Sequence, residues 1–261
     1  MDAQPLDHIS LSAFYPLTVL LLTAALLGGY LYARQGPGRK HEGFDTGVGA
    51  ITGATLALLT FLLAFVVGFG VNASQERRMS TTAEANAIGT AWLRAGYLDD
   101  EYRGPARDLL REYVDQRVAV ALDRTKFAEV RGRSEEIHAE LWAQVEEIVR
   151  GGNTAPTTGL YISALNEVID LHTERVVVGV YVRIPPFVLL SMFVIAVVAV
   201  FMVGIQTGYA VKRDFVALAL LLLVLAFVLY LIVDLDRSTE GLLRANQQAL
   251  FDLQTQLHSA P

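Results

Sequence analysis

Four long apolar runs mark the chain, and a charged, amphipathic stretch separates the second from the third. The runs extend from about Phe14 to Tyr32, Val48 to Val71, Pro186 to Tyr209 and Phe215 to Val233. Each matches the roughly 20 apolar residues that a helix needs to cross a bilayer. Phe14, Tyr15, Tyr30 and Tyr32 bracket the first run, where interfacial aromatics are expected. The third is entered through Pro185–Pro186, and proline suits a helix start because its missing N–H needs no partner there. The fourth, with LALLLLVLAFVLYLIV uninterrupted, is the most apolar.

Residues 72–185 read as helices throughout. Leu109, Leu110, Tyr113, Val114, Val118, Ala121 and Leu122 share one amphipathic stripe, and Gly104–Pro105 marks the break before it. Ser134, followed by two glutamates, opens a second helix with Ile137, Leu141, Trp142, Val145, Ile148 and Val149 on one face, ending at Gly151–Gly152. A third spans about 157–182, its VVVGVYV segment continuing as helix into the third span. The second span continues in helical register from Asn72 to Leu98, so one long helix is expected to stand on it and form a small bundle with the others. Leu242, Leu243, Leu250, Leu253 and Leu257 fit one more amphipathic helix near the C-terminus. The expected fold is an all-α integral membrane protein. Residues 1–71 hold transmembrane helices 1 and 2, and 72–185 a helical soluble domain continuing from helix 2. Residues 186–233 hold transmembrane helices 3 and 4, and 234–261 the C-terminal amphipathic helix.

Composition sharpens this picture. The chain is 53% hydrophobic and only 18% charged, and the charges gather in 72–185. Its net charge of −6 argues against nucleic acid, which calls for a clustered basic surface. The absence of cysteine removes thiolate catalysis and thiolate metal sites. Residues 1–33 carry no Lys or Arg, so the first run reads as a retained span and not a cleaved signal. The short loops 33–47 and 211–214 hold Arg34, Arg39, Lys40, Lys212 and Arg213. Lys and Arg in short loops favour the cytoplasm, which predicts both termini and the helical domain on the other side. Arg77, Arg78, Arg183 and Arg237 oppose that orientation.

No catalytic constellation is apparent. His8, His41, His138, His172 and His258 form no metal-binding pair and read as ordinary surface histidines. No phosphate-cradling loop or nucleophile elbow occurs, so the chain reads as a non-enzyme without cofactor or metal. On the second span, Gly49, Gly53, Ala57, Thr60, Ala64 and Gly68 recur at three- and four-residue spacing and share one face, with Asn72 at its end. Small residues let another helix approach closely. Repeated round a symmetry axis, the same face would line a water-filled conduit. No ionisable residue falls inside a span, which weighs against a proton-coupled transporter and not against a channel. Thr52, Thr55, Thr60, Ser191 and Gln206 are the polar candidates inside the spans. Glu76, Arg77 and Arg78 follow span two, and Asp234, Asp236 and Arg237 follow span four. They read either as interfacial ion pairs or as a charged ring at a pore mouth.

Two motifs carry a family resemblance: SQERRMSTTAEANAIGTAWLRAGYL at 74–98 and DLDRSTEGLLRANQQAL at 234–250. With the four-span layout they resemble the bestrophin-like family of bacterial and plant membrane proteins over roughly residues 45–255. The family often has a proline after the Asp-Arg of the second motif, where this chain has Ser238. A remote similarity to bestrophins, pentameric chloride channels whose second span lines the pore, implies a homo-oligomer in the bilayer, pentameric if that plan carries over. It also implies conducted ions, anions ahead of cations, and an inner-membrane location in a bacterium. The aromatic neck and acidic calcium cluster of animal bestrophins are not visible here. The alternative is a non-conducting membrane-anchored scaffold or sensor. Either way Glu84, Asn86 and Arg94 of the first motif are structural candidates. Glu84 and Arg94 are expected to form salt bridges with partners such as Arg237 or Asp234.

Overall fold

The computed structural model describes residues 9–35, 44–153, 155–180, 182–210, 214–237 and 246–260, and among them every regular element is helical. In chain order these are α1 (Leu11–Gln35), α2 (Phe44–Ala95), α3 (Asp100–Leu122), a 3₁₀ turn (Arg124–Lys126), α4 (Phe127–Arg150), α5 (Pro156–Val180), α6 (Pro186–Tyr209), α7 (Phe215–Asp236) and α8 (Gln248–Ser259). The basic loop residues Arg39, Lys40, Lys212 and Arg213, on which the orientation rests, lie outside the described residues. So do His8, His41, Ser238, Leu242 and Leu243. The chain divides into two compact units, one of residues 1–73 and 183–244, the other of 74–182 and 245–261.

In the first unit, α1, α6, α7 and the first part of α2 are each long and apolar enough to cross a membrane. Leu22, Leu59, Met192, Ala196, Ala226 and Leu229 centre their shared core. Close backbone packing joins α1 to α6. A Cβ on Gly29 would fall on the Phe201 carbonyl, one on Gly204 on the Leu26 carbonyl, and one on Gly208 on the Ala33 side chain. Only glycine permits such an approach, the small-residue packing familiar from membrane helices. Asp214 caps α7 by accepting from the Val216 and Ala217 N–H groups. At the other end of α7, Asp236 accepts from Arg183 Nη2 at 2.7 Å and from Ile184 N at 2.6 Å. That clamp holds the irregular segment entering α6.

The helix expected to run from 157 into the third span instead ends at Val180, and residues 182–185 are irregular. Pro185 and Pro186 cannot donate to preceding carbonyls, and a residue before proline is pushed out of the α region. Two other boundaries move as well. Helix α3 begins at Asp100, so Gly104–Pro105 lies inside it, on an exposed stretch where the missing N–H costs little. Helix α4 begins at Phe127, not Ser134. The stop before it is built by Asp123, whose carboxylate accepts from Thr125 N and Oγ1. Ser134 is buried mid-helix, donating to the Val130 carbonyl at 2.8 Å.

The 52 residues of α2 form one helix shared between the two units. Its C-terminal part joins α3, α4, α5 and α8 in the second unit, around Ile88, Leu110, Ile137, Leu141, Leu165 and Leu250. Arg107 lies 4.1 Å over the Trp92 ring, and Arg133 ties α3 to α4 through Glu112.

Candidate functional site

Gly53, Ala57, Thr60, Ala64, Gly68 and Asn72 are exposed along α2, and Gly49 is half-buried. The core-facing side of this helix carries Thr52, Leu59, Leu63 and Val66. A Cβ built on Gly53 or Gly68 meets nothing within 4 Å. Thr60 donates to the Leu56 carbonyl at 2.9 Å, leaving its oxygen free to accept on the open side. Thr52, Thr55 and Ser191 likewise donate to carbonyls four residues back. Phe61, Phe65 and Phe69 are also exposed, about 100° further round the helix. The α2 segment therefore presents a smooth small-residue face and an aromatic face, neither covered by the described residues of its own chain. Beyond them Glu76 and Arg78 are exposed and Arg77 is half-buried. Asp234, Asp236 and Arg237 are buried at the end of α7. Asp236 serves as the clamp described above.

The second unit contains a buried polar centre assembled from α2, α3, α4, α5 and the residue before α8. Glu84 is fully buried and pairs with Arg117 (Nε to Oε1, 3.3 Å) and with Arg175. Arg175 also donates to Gln247 at 2.8 Å. The partners expected for Glu84, Arg237 and Asp234, are not the ones found: Arg117 on α3 and Arg175 on α5 take that place. Tyr113 donates its hydroxyl proton to Glu84 at 2.6 Å. With that proton committed, the 2.9 Å contact to His172 must have Nδ1–H donating to the tyrosine oxygen, which fixes the tautomer. His138 sits against both, its ring 4.8 Å from Tyr113 and 4.9 Å from His172.

Electrostatics follow from burial and pairing. Burial pushes the Glu84 carboxyl up, but the Arg117 and Arg175 guanidiniums and the Tyr113 hydroxyl outweigh it and hold Glu84 below its ordinary value. Burial, with the Glu84 charge, drives the Tyr113 hydroxyl well up. Burial lowers both His138 and His172 to about 4, and the Arg117 charge adds to it, so both rings are neutral at pH 7. The expectation of surface histidines is thus corrected for these two, which are 7% and 5% exposed. They lie on the bundle-facing stripes of α4 and α5. Among the described residues Arg94 pairs with no carboxylate and donates to the Leu160 carbonyl at 3.0 Å, while Asn86 is exposed. Tyr113, Arg117, His138, His172 and Arg175 carry no motif in the sequence. Among the described residues no three His, Asp or Glu side chains group as metal ligands.

A family model described as a bestrophin-like domain matches residues 20–250. No curated protein and no solved structure matches the chain.

Proposed function

The chain belongs to the bestrophin-like family, and from that premise we propose that it is the subunit of an oligomeric ion channel whose conduit is lined by α2. The observation that carries this reading is the open face of Gly53, Ala57, Thr60, Ala64 and Gly68, which none of the described residues of its own chain covers. An integral membrane protein has no packing reason to leave such a face bare toward lipid. Copies arranged round an axis would enclose it, with alanine methyls, glycine backbone and the Thr60 oxygen facing water. The helical unit of residues 74–182 we place outside the membrane on the non-cytoplasmic side with both termini. Anions are favoured over cations through the family resemblance. Purified oligomer reconstituted in planar bilayers should give single-channel currents whose amplitude changes in Thr60→Val. Silent bilayers across voltage and pH from well-folded oligomer would refute the channel.

The second reading is a non-conducting scaffold or sensor. It is favoured by the same face, because small residues also permit a second copy of α2 to pack directly against the first. A dimer closed through α2 would leave no axial conduit.

A further inference from the structure

Among the described residues, the centre of the second unit carries one more positive than negative charge. Glu84 is the one buried carboxylate among the described residues of that unit, and it faces Arg117 and Arg175, which are 4% and 13% exposed. Glu135 is near but exposed and bound to Arg131 at 2.9 Å. His138 and His172 are neutral and add no charge. Arginine cannot shed its proton, so the surplus stands at every accessible pH. Burying an unbalanced charge in an apolar bundle is costly unless a counter-charge reaches it.

The hydrogen bonding is unbalanced at the same place. Arg175 directs its donors to Glu84 and Gln247. Arg117 makes no aligned hydrogen bond among the described residues: its buried Nε lies 3.3 Å from Glu84 Oε1 as an ion pair without the geometry of a hydrogen bond. His138 Nε2 is likewise buried and without a partner. Both groups belong to the shell round Tyr113: Arg117 is one turn along α3, and the His138 ring stacks on Tyr113 from α4. Leu110, Ile137 and Leu141, their neighbours on the same two helices, are fully buried. The surroundings suit a compact ion and not an organic acid.

We infer that this centre binds one small monovalent inorganic anion, of the size and charge of chloride, held by the Arg117 guanidinium with His138 Nε2–H as a second donor. Two guanidiniums then stand against one carboxylate and one anion, and the cluster is neutral. The inference holds whether or not the protein conducts.

The test melts the full-length protein in detergent at neutral pH while sodium chloride replaces sodium isethionate at constant ionic strength. Both tryptophans of the chain, Trp92 and Trp142, lie in this unit, so their fluorescence reports its unfolding. The melting temperature should rise with chloride and level off, by roughly 3–5 °C in total. Arg117→Met removes the surplus charge and leaves the Glu84–Arg175 pair balanced, so it should fold and lose the chloride response. His138→Leu keeps the charge count and removes a donor, and should need about tenfold more chloride for the same shift. If Arg117→Met fails to fold, the histidine variant decides. A wild-type melting temperature that ignores chloride, as a water molecule in place of the ion would give, overturns the proposal. So does a chloride shift unchanged in the variants, which would locate the ion elsewhere, such as the α2 conduit.

Discussion

In the seam between α1 and α6, Gly29, Gly204 and Gly208 are pressed against the backbone and side chains of the facing helix. On α2, Gly53 and Gly68 look out on open space, and Ala57, Thr60 and Ala64 stand exposed between them. Both faces use small residues at three- and four-residue spacing, and both belong to helices able to cross a membrane. In lipid no hydrophobic force separates a glycine face from a leucine face. Small residues matter there only for what they let come close. The seam already has its partner within the chain. The α2 face has none among the described residues, so on the channel reading water comes close to it and on the scaffold reading another copy does.

The contrast breaks most visibly at the seam. Gly204→Leu would drive a side chain into the Leu26 carbonyl, and Gly29→Leu one into that of Phe201. Either should cost more than about 4 kcal/mol and abolish monodisperse folded protein, read by size exclusion and helical circular dichroism. Gly204→Leu melting within a few degrees of wild type would show that the seam is loose. Glu84→Gln is expected next in size. It leaves Arg117 and Arg175 facing no carboxylate and should destabilise the second unit by about 3–5 kcal/mol, whereas exposed Glu76→Gln stays within about 0.5 kcal/mol.

Acid separates the two units in the same sense. No histidine or carboxylate lies along the seam, residues 26–33 and 201–208, while His138 and His172 have pKa values lowered to about 4 in the folded state, from an ordinary value of 6.5. The unfolded chain therefore binds more protons between these values, and stability falls as pH drops from about 6.5 towards 4. The loss approaches about 3 kcal/mol per ring. Tryptophan fluorescence should show the second unit loosening over that range, and His172→Phe should flatten part of the dependence. A melting temperature flat from pH 7 to 4.5 would mean the rings are not buried neutral.

The four long apolar helices were legible because about twenty consecutive apolar residues have few other uses, and α2 was legible as one helix because nothing between Asn72 and Ala95 interrupts its register. The seam was not legible. Gly28–Gly29 reads locally as a weakness in the first span, and Gly204 and Gly208 gain meaning only opposite Leu26 and Ala33. The polar centre left a trace that periodicity could have caught. Leu165, Val168, His172 and Arg175 follow at helical spacing, as do Leu110, Tyr113, Arg117 and Val118. A charged or titrating side chain continuing a buried stripe points to a partner inside the bundle. The boundaries at Gly104–Pro105 and Ser134 misled because each resembles a helix end when only its neighbours along the chain are considered. Gly104–Pro105 lies where an exposed helix tolerates one lost hydrogen bond, and the Ser134 hydroxyl turns back to its own helix.

The finest discrimination needs the smallest perturbation. The chain has no cysteine, so a single introduced thiol reports only its own surroundings. Thr52 and Thr60 lie on the same helix about 80° apart, each with its hydroxyl bonded to a carbonyl four residues back, but Thr52 is buried and Thr60 exposed. Thr→Cys barely changes volume, so both variants should melt within about 0.5 kcal/mol of wild type. Their chemistry should diverge. The reactive species is the thiolate, which forms only where water reaches the sulfur. In the folded oligomer, Thr60→Cys should react with a charged thiosulfonate and lose current, and Thr52→Cys should react with nothing. If Thr60→Cys resists the charged reagent yet couples to an apolar maleimide, its face meets lipid. If it resists both, another helix covers it, and the open face of α2 is an interface instead of a wall.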